Sequence, residues 1–512
     1  MFKASALPRL LLPYIHDRKD KYGCNESHGL RTPPDAGPKK VVVEFSSPNI
    51  EADFQSKHLR STIIGAYVSK IYEAMGWDVT RITYLGDWGK QIALLGAGWE
   101  RFGSEELFQQ DPVGHMLDVY AKIEELFKPE LEASKKARDS GADTTEIESK
   151  GLYLERDEFF KKLEGGNEEA VALWKRFREA SIEHLTSLYA RLNVKFDEYS
   201  GESQVSAETM AEVEDILKSK GICEESKGSW IVDFKKHGGR HGVSIIRGRN
   251  GSSTYFLRDL GAVLERWRKY SFDKMIYVVV SGHDMHFQRL FKTLELMGMP
   301  ELAGKLQHLP FKEEKVSQVV ETSGQGHMLE KVLDESELAM AESLKANPEK
   351  AALLGEDAAS SVGLAALLAQ ELATKRASNH ALDIESMTSF ESGTGPDIQY
   401  WYARLRLMLK QGLAPPPSDL SDADLSALEG DERVDLLRLL AQFPEVASSS
   451  YASLESSTVV SYLVNVTRQL SYCLEDEIDL GAAPGVAALF ESTRQVLENG
   501  MRIIGIEPAP TS

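Results

Sequence analysis

The chain has 512 residues and a formal net charge of −20, and 42% of its residues are hydrophobic. The length predicts two or three domains, the acidic balance argues against general nucleic-acid affinity, and no apolar run reaches the roughly 18–20 residues of a membrane-spanning helix. Cys24, Cys223 and Cys473 lie far apart, offer no metal-binding spacing and indicate a reducing, intracellular setting.

The first 91 residues predict a helix, a loop and a βαβ unit. Residues 1–38 are expected to form a helical linker that ends in a flexible loop, rich in Pro and Gly, at 24–38. The segments VVVEFSS, HLRSTIIGAYVSKIYEAMG and WDVTRITYLG then predict strand, helix and strand. This order is typical of a parallel sheet. The start of a helix that follows such a strand is where α/β folds bind anions and nucleotides.

The remaining residues predict an α/β domain followed by helices. Residues 39–330 are expected to form the α/β domain, with a charged helical insertion at about 94–192. After the insertion the sheet is expected to resume through IVDF, VSIIRG, STYFLRDL and KMIYVVVSG. Residues 331–370 predict a helical connector, and residues 371–512 predict an all-α bundle.

Short motifs along almost the whole chain resemble those of class I arginyl-tRNA synthetases. In family order these are EFSSPN, HLRSTIIG, YLGDWGKQ (Tyr84–Gln91), RFREASIE (Arg176–Glu183), YSGESQVS (Tyr199–Ser206), TYFLRDLGA (Thr254–Ala262), GTGPDIQYWYARLR (Gly393–Arg406) and NGMRIIGI (Asn499–Ile506). The resemblance implies an α/β class I synthetase Rossmann catalytic domain with a helical insertion, followed by an all-α anticodon-binding-like helical bundle.

The N-terminal segment permits two interpretations. MFKASALPRLLLPYIHDRK has no acid before Asp17, as in an organellar presequence. LPRLLLPYIHDRKDKYG also resembles the helical linker before the catalytic domain of fungal arginyl-tRNA synthetases. We favour the linker, and with it a cytoplasmic location. The chain starts just after the point where the family's further N-terminal domain, which grips the tRNA elbow, ends.

The resemblance also implies an arginine pocket. A guanidinium group favours planar, bidentate carboxylate partners, and Glu44 and Asp259 match the family's acids. Tyr255 lies one helical turn before Asp259 and is expected to wall the same pocket. Asn49, with Ser46 or its neighbour, is expected to hold the α-amino and α-carboxylate end of the amino acid.

The family's ATP-binding motifs are altered. Where the family has His-x-Gly-His, this chain has Gln55, Ser56, Lys57 and His58, so a glycine that admits ATP has become a lysine. Lys57 is expected to pair with Asp53, or else to meet a tRNA phosphate. A second family loop, Met-Ser-x-Arg-Lys-Gly, is replaced by KEEKVSQVVETSGQGHMLEKVLDES, whose acids oppose the stabilisation of a developing pyrophosphate.

Three residues are candidates for catalysis. His283 stands where the family usually has glutamine, and His283 or His58 can move a proton near neutral pH. A packed or solvent-facing histidine is about as good an interpretation of His283. Ser56 is a candidate acyl acceptor or oxyanion donor, although we prefer to interpret it as a helix cap.

This combination predicts an enzyme that has lost ATP-dependent aminoacylation. It resembles the fungal arginine-containing cyclodipeptide synthases, which would join the arginyl group of arginyl-tRNA to a second aminoacyl group and form a diketopiperazine. The predicted partners are arginyl-tRNA and a second aminoacyl-tRNA, with no DNA, membrane, metal or cofactor, and the chain is expected to be a monomer. The alternatives are an ATP-dependent arginine–tRNA ligase with divergent motifs and a catalytically inactive paralogue that binds tRNA.

The basic residues that tRNA needs are expected on local faces. Arg240–Arg249 and Arg266–Lys274 are the candidates, and an ordinary solvated surface is the simpler interpretation of both.

Overall fold

A computed structural model describes most of the chain. The described residues are 6–33, 36–238, 242–249, 251–313, 328–355, 357–379, 381–411, 416–474, 480 and 482–509. Most of the acidic segment expected in place of the family's second ATP-binding loop lies outside these residues, at 314–327.

A parallel sheet forms the centre of the N-terminal part. The strands of the molecule are β1 (Lys40–Glu44), β2 (Asp78–Leu85), β3 (Glu198–Gly201), β4 (Glu224–Ser226), β5 (Ser229–Asp233), β6 (Val243–Arg247), β7 (Lys274–Val280) and β8 (Leu306–Phe311). Five of them form the sheet in the order β3-β2-β1-β7-β8, and every neighbouring pair is parallel. The middle of β1 is fully buried, as expected for a strand covered by helices on both faces.

The predicted extension of this sheet is partly wrong. IVDF and VSIIRG lie in a separate antiparallel sheet of order β4-β5-β6. STYFLRDL is the start of a helix, Tyr255–Tyr270, because the Thr254 hydroxyl accepts the N–H of Leu257 at its first turn. Leu257, Leu260 and Leu264 then recur at helical spacing, so the helix places all three on one buried face. A strand would place them on both sides of the sheet.

Helices fill the rest of this part, including the insertion between β2 and β3. In chain order they are α1 (Leu7–Arg18), α2 (Ser56–Ala74), α3 (Lys90–Phe102), α4 (Glu105–Gln110), α5 (Pro112–Asp139), α6 (Thr145–Glu148), α7 (Gly151–Glu164), α8 (Glu168–Arg191), α9 (Ala207–Ser219), α10 (Tyr255–Tyr270), α11 (Asp284–Leu296) and α12 (Pro300–Ala303). The helices from α3 to α8 form the inserted unit, which packs on the sheet through a shared apolar core.

The C-terminal part is a helical bundle. Its helices are α13 (Met328–Ala346), α14 (Pro348–Leu354), α15 (Ala359–Ala373), α16 (Ile384–Met387), α17 (Gly395–Gln411), α18 (Asp422–Ser426), α19 (Asp431–Ser453), α20 (Ser457–Cys473) and α21 (Pro484–Ile503). Within the described ranges no single helix has the length and apolarity to cross a membrane, although the bent pair α14 and α15 meets those criteria jointly.

Helix α2 joins the sheet to the bundle. Its Arg60 forms an ion pair of 2.9 Å with Glu371 of α15, and both side chains are completely buried. Further along α2, the Tyr67 and Ser450 hydroxyls lie 2.6 Å apart. Helix α2 is therefore fixed to the bundle by buried polar contacts.

Candidate active site

A cleft of about 950 Å³ opens at the carboxyl ends of β1 and β7. The loop after β1, the start of α2, the N-terminal half of α10 and the turn after β7 contribute its walls. Ligands of open parallel sheets bind at this edge, where crossover connections leave a crevice. The cleft contains the five residues predicted to bind arginine, namely Glu44, Ser46, Asn49, Tyr255 and Asp259.

Glu44 lies at the base of the cleft and is already paired. Its Oε2 is 2.6 Å from Nη1 of Arg266 on α10, and both side chains are more than nine-tenths buried. Burial raises the pKa of Glu44 most, the Arg266 charge opposes this rise, and nearby Asp259 adds to it. The sequence did not indicate this internal partner.

Asp259 and Tyr255 lie on the same face of α10 as Arg266, at helical spacing. Asp259 Oδ2 is 2.8 Å from Nε2 of His286 on α11. Tyr255 is 63% exposed at the mouth of the cleft, and its ring centroid lies 5.5 Å from that of His286. The helix thus carries a tyrosine at the mouth, an acid inside and an arginine at the base.

The turn after β1 is fixed by its own side chains. Ser46 and Ser47 both have positive φ, at 68° and 50°. The Ser46 hydroxyl lies 2.7 Å from the Tyr189 hydroxyl, and the Ser46 N–H donates to Ser61 Oγ. Asn49 forms a parallel bridge with Gly86, where a Cβ would come within 2.1 Å of Asn49 Oδ1. Asn49 therefore stands in the wall expected for the amino acid, whereas the Ser46 hydroxyl is used internally.

The start of α2 differs from the prediction that Ser56 caps the helix. Gln55 is the N-cap: its side chain accepts the N–H of His58, and His58 Nδ1 accepts the Gln55 N–H at 3.0 Å. Burial lowers the pKa of His58 to about 3. The imidazole is thus neutral, with its remaining proton on Nε2, and it is not suited to the expected role of proton carrier at neutral pH.

Lys57 and His283 face each other across the mouth of the cleft. Both line it, and the Lys57 charge, after burial and His286, lowers the pKa of His283. His283 ends the short turn Ser281–His283 that follows β7, and it is exposed. Lys57 places a positive charge on this side of the cleft, whereas the lowered pKa of His283 favours its neutral form.

Of the two predicted basic faces, Arg266–Lys274 is largely paired with acids. Arg266 is buried against Glu44, and Arg268 and Lys269 pair with Glu212 and Glu198. Part of the other face, residues 239–241, lies outside the described residues.

Comparisons with known proteins agree with this architecture. The sequence model of the family described as "tRNA synthetases class I (R), catalytic domain" matches residues 27–384, and that of the "DALR anticodon binding domain" matches residues 398–510. The cytoplasmic arginine–tRNA ligase of Saccharomyces cerevisiae is 40% identical over 99% of this chain and 81% of its own length. The chain belongs to the arginyl-tRNA synthetase family of class I.

Other relatives and solved structures extend this result. The mitochondrial arginine–tRNA ligase of S. cerevisiae is 38% identical over 98% of this chain and 75% of its own length. The arginyl-tRNA synthetase of Thermus thermophilus has the same fold, with a TM-score of 0.73 and 20% identity over 99% of this chain and 86% of its own. The predicted fold class, a class I catalytic domain followed by a helical anticodon-binding domain, is confirmed.

The predicted cyclodipeptide synthase function is wrong. Relatives that match 98–99% of the chain are named arginine–tRNA ligases, and the family models match both the catalytic and the anticodon-binding parts. The inference failed because it gave the altered residues at the start of α2 and in the segment after β8 more weight than the resemblance of the whole chain. The second aminoacyl-tRNA partner and the monomeric state stay predictions.

The sequence analysis did not identify two buried carboxyl groups of the cleft, Glu51 and Glu202. Burial raises the pKa of Glu51 to about 7 and, with nearby Asp259, that of Glu202 to about 8. Glu51 follows Asn49 by two residues, and Glu202 lies in the YSGESQVS motif. In the structure Glu202 is close to Asp87, which accepts hydrogen bonds from Arg178 and Ser203. Only the position of Glu202 within a family motif gave a signal, because burial is not visible in a single sequence.

Among the residues that the structure describes, no group of three or more His, Cys, Asp or Glu side chains is arranged to hold a metal ion.

Proposed function

We propose that this chain is an arginine–tRNA ligase, which uses ATP to activate arginine and transfers the arginyl group to tRNA. The observation that carries the proposal is the acid-lined base of the cleft, Glu44 and Asp259, in a chain whose full-length relatives bear that name. Two carboxylates of different elements suit the planar, five-donor guanidinium group of arginine.

The arrangement separates the two ends of the amino acid. Asp259, with Tyr255 above it, lies on the α10 side and takes the guanidinium group in this proposal. Asn49 lies on the turn after β1 and takes the α-amino and α-carboxylate end. His283 and Lys57 line the same cleft, and in this proposal they lie beside the carboxylate that is activated.

The start of α2 supplies the anion-binding part of the proposal. The dipole of this helix favours negative charge at its start. Neutral His58 lines the cleft and retains one N–H donor. Phosphate oxygens of ATP would accept a hydrogen bond from it, while the anticodon-binding match at 398–510 supports tRNA as the second substrate.

The test is pyrophosphate exchange. The purified chain is incubated with arginine, ATP, labelled pyrophosphate and tRNA, and labelled ATP is measured. Exchange that requires arginine and falls by at least about 100-fold in Asp259→Ala, a loss typical of truncating one partner of a buried charge pair, would support the proposal. An Asp422→Ala variant is a matched control, since Asp422 is an exposed acid paired with Arg9 in the bundle.

A second candidate is a paralogue that binds tRNA without ATP chemistry. The observation that favours it is Lys57 at the cleft, where the side chain takes space and places a charge beside the helix start. This candidate predicts tRNA binding and arginine binding with no exchange under any condition. Restoration of exchange in Lys57→Gly would show that the lysine alone suppresses ATP use.

A further inference from the structure

Glu44, the acid at the base of the cleft, already has a partner within the protein. Arg266 reaches Glu44 from α10 at 2.6 Å, and its guanidinium carbon lies 4.6 Å from the ring centroid of Tyr84. Nη2 of Arg266 is buried without a hydrogen-bond partner in the described part of the chain. The protein therefore places its own guanidinium group directly behind the carboxylate that is expected to recognise arginine.

Stability alone is a weak reason for such a pair. Two charges taken out of water lose hydration, and buried ion pairs can often be replaced by apolar residues without loss of stability. The pair also sits in the wall of the cleft rather than in the apolar interior of the sheet. Its position points to a task at the site.

The charged groups around Glu44 and Arg266 indicate what the pair does at the site. Glu44 and Asp259 carry two negative charges, and Arg266 carries one positive charge that cannot be lost near neutral pH. His286, 2.8 Å from Asp259, also faces these acids, and Arg266 is the group in direct contact with Glu44. Burial and Asp259 both raise the pKa of Glu44, and Arg266 is the main group that opposes them.

We propose that Arg266 is a positioning residue for arginine recognition, which holds the Glu44 carboxyl group from behind at 2.6 Å and orients it toward the ligand. This inference rests on the proposed function, because it takes arginine to be the ligand of the cleft. Without Arg266, the group that most opposes the rise in the pKa of Glu44 is lost, so the carboxyl group is protonated more easily and accepts N–H bonds less well.

The test is arginine binding, measured by calorimetry on the full chain without ATP or tRNA. Arg266→Met is expected to weaken arginine binding by about 10–100-fold at pH 7, the range for loss of a hydrogen bond to a charged group. Part of the affinity is expected to return at pH 9, because a higher pH favours the ionised form of Glu44. Arg266→Lys keeps the charge but loses the planar group that lies over Tyr84, so it is expected to bind arginine more weakly than the unmodified chain and more tightly than Arg266→Met at both pH values.

A double-mutant comparison separates this role from general damage. Glu44→Gln is measured alone and together with Arg266→Met. The double variant removes both charges, so neither is left buried without its partner. The inference expects Glu44→Gln to weaken binding strongly in the unmodified chain and hardly at all beside Arg266→Met. An equal loss in both backgrounds would overturn it, as would an Arg266→Met chain that binds with unchanged affinity and pH profile.

A matched control uses a structural arginine away from the cleft. Arg376 pairs with Glu455 and donates to the carbonyl oxygen of Pro310. Arg376→Met is expected to lower stability without changing arginine affinity. Failure of exchange with arginine binding intact would reject the ligase proposal alone, whereas an unmodified chain that binds no arginine would overturn both.

Discussion

The two ends of the cleft are built in different ways. At the base, Glu44 and Asp259 are each held by a side chain from another element, Arg266 at 2.6 Å and His286 at 2.8 Å. At the start of α2 the side chains at positions 55–57 are exposed or half-buried, and the local geometry is a backbone cap between Gln55 and His58. One end is a network across the fold, and the other is a local turn.

This difference explains where the sequence can change. Substitution of one member of a buried charge network leaves its partner unpaired, which costs several kcal/mol. A residue in the first turn of a helix can change without disturbing the rest of the fold, provided that the cap survives, and the Gln55–His58 pair preserves it here. Altered residues at the start of α2 therefore say little about the amino-acid end of the cleft.

The largest effect is expected where α2 is anchored, away from its variable start. Arg60→Met is predicted to lower the free energy of unfolding by about 3–5 kcal/mol, because Glu371 then stays buried without its ion-pair partner. Urea denaturation measures this loss. Arg9→Met, which breaks an exposed pair with Asp422, is the control and should change stability by less than about 1 kcal/mol.

The next effect concerns recognition at the base. Asp259→Asn is predicted to raise the KM for arginine by about 30–100-fold with little change in the KM for ATP, because in the proposal Asp259 takes the guanidinium group of arginine and no part of ATP. Asp284→Asn tests a neighbouring acid that pairs with His308 instead. Equal changes in the two KM values would contradict the separation of the two ends.

Glu51 provides a pH-dependent test. Its pKa in the folded chain, about 7, exceeds the ordinary value of 4.5 because burial disfavours the carboxylate. The native state therefore binds this proton more tightly than the unfolded chain, and stability is lost as the pH rises from 4.5 to about 7. Glu51→Gln is predicted to be more stable by up to about 3 kcal/mol at pH 8 and by almost nothing at pH 4.5.

Thermal or urea unfolding at the two pH values measures the Glu51 effect. Glu124→Gln serves as the control, since Glu124 is exposed and close enough to influence the pKa of Glu51. A gain of stability in Glu51→Gln that does not depend on pH would contradict the assignment.

The smallest effect is expected at Lys57. Lys57→Gly is predicted to lower the KM for ATP several-fold, since it opens space and frees the N–H groups of the first turn, and to leave arginine affinity unchanged. The glycine costs about 1 kcal/mol of helix stability. An unchanged KM for ATP would mean that the lysine side chain does not limit access.

The sequence predicted the framework better than the site. Alternating strand and helix patterns and motifs in family order placed β1, α2, β2 and β7 correctly, since these elements depend on local pattern and burial. STYFLRDL was expected to contribute a strand or strand end to the sheet, although it opens the helix Tyr255–Tyr270, because its apolar residues are dense and its cap, Thr254, is a single residue. Helical and strand periods are hard to distinguish over so short a run.

The partners of the site residues could not be predicted. Arg266 lies 222 positions after Glu44, and only the packing of α10 against β1 brings them together. His286 and Glu51 gave no local signal for the same reason. The function was mistaken for a related reason, because a local motif was weighed without the network that surrounds the rest of the cleft.

The most direct test of the central claim is arginylation itself. The purified chain is mixed with labelled arginine, ATP and tRNA, and the label that becomes acid-precipitable with the tRNA is counted. The account predicts a signal that requires ATP and disappears in Asp259→Ala. No label on tRNA, from a chain that still binds arginine and tRNA, would contradict the claim that this protein is an arginine–tRNA ligase.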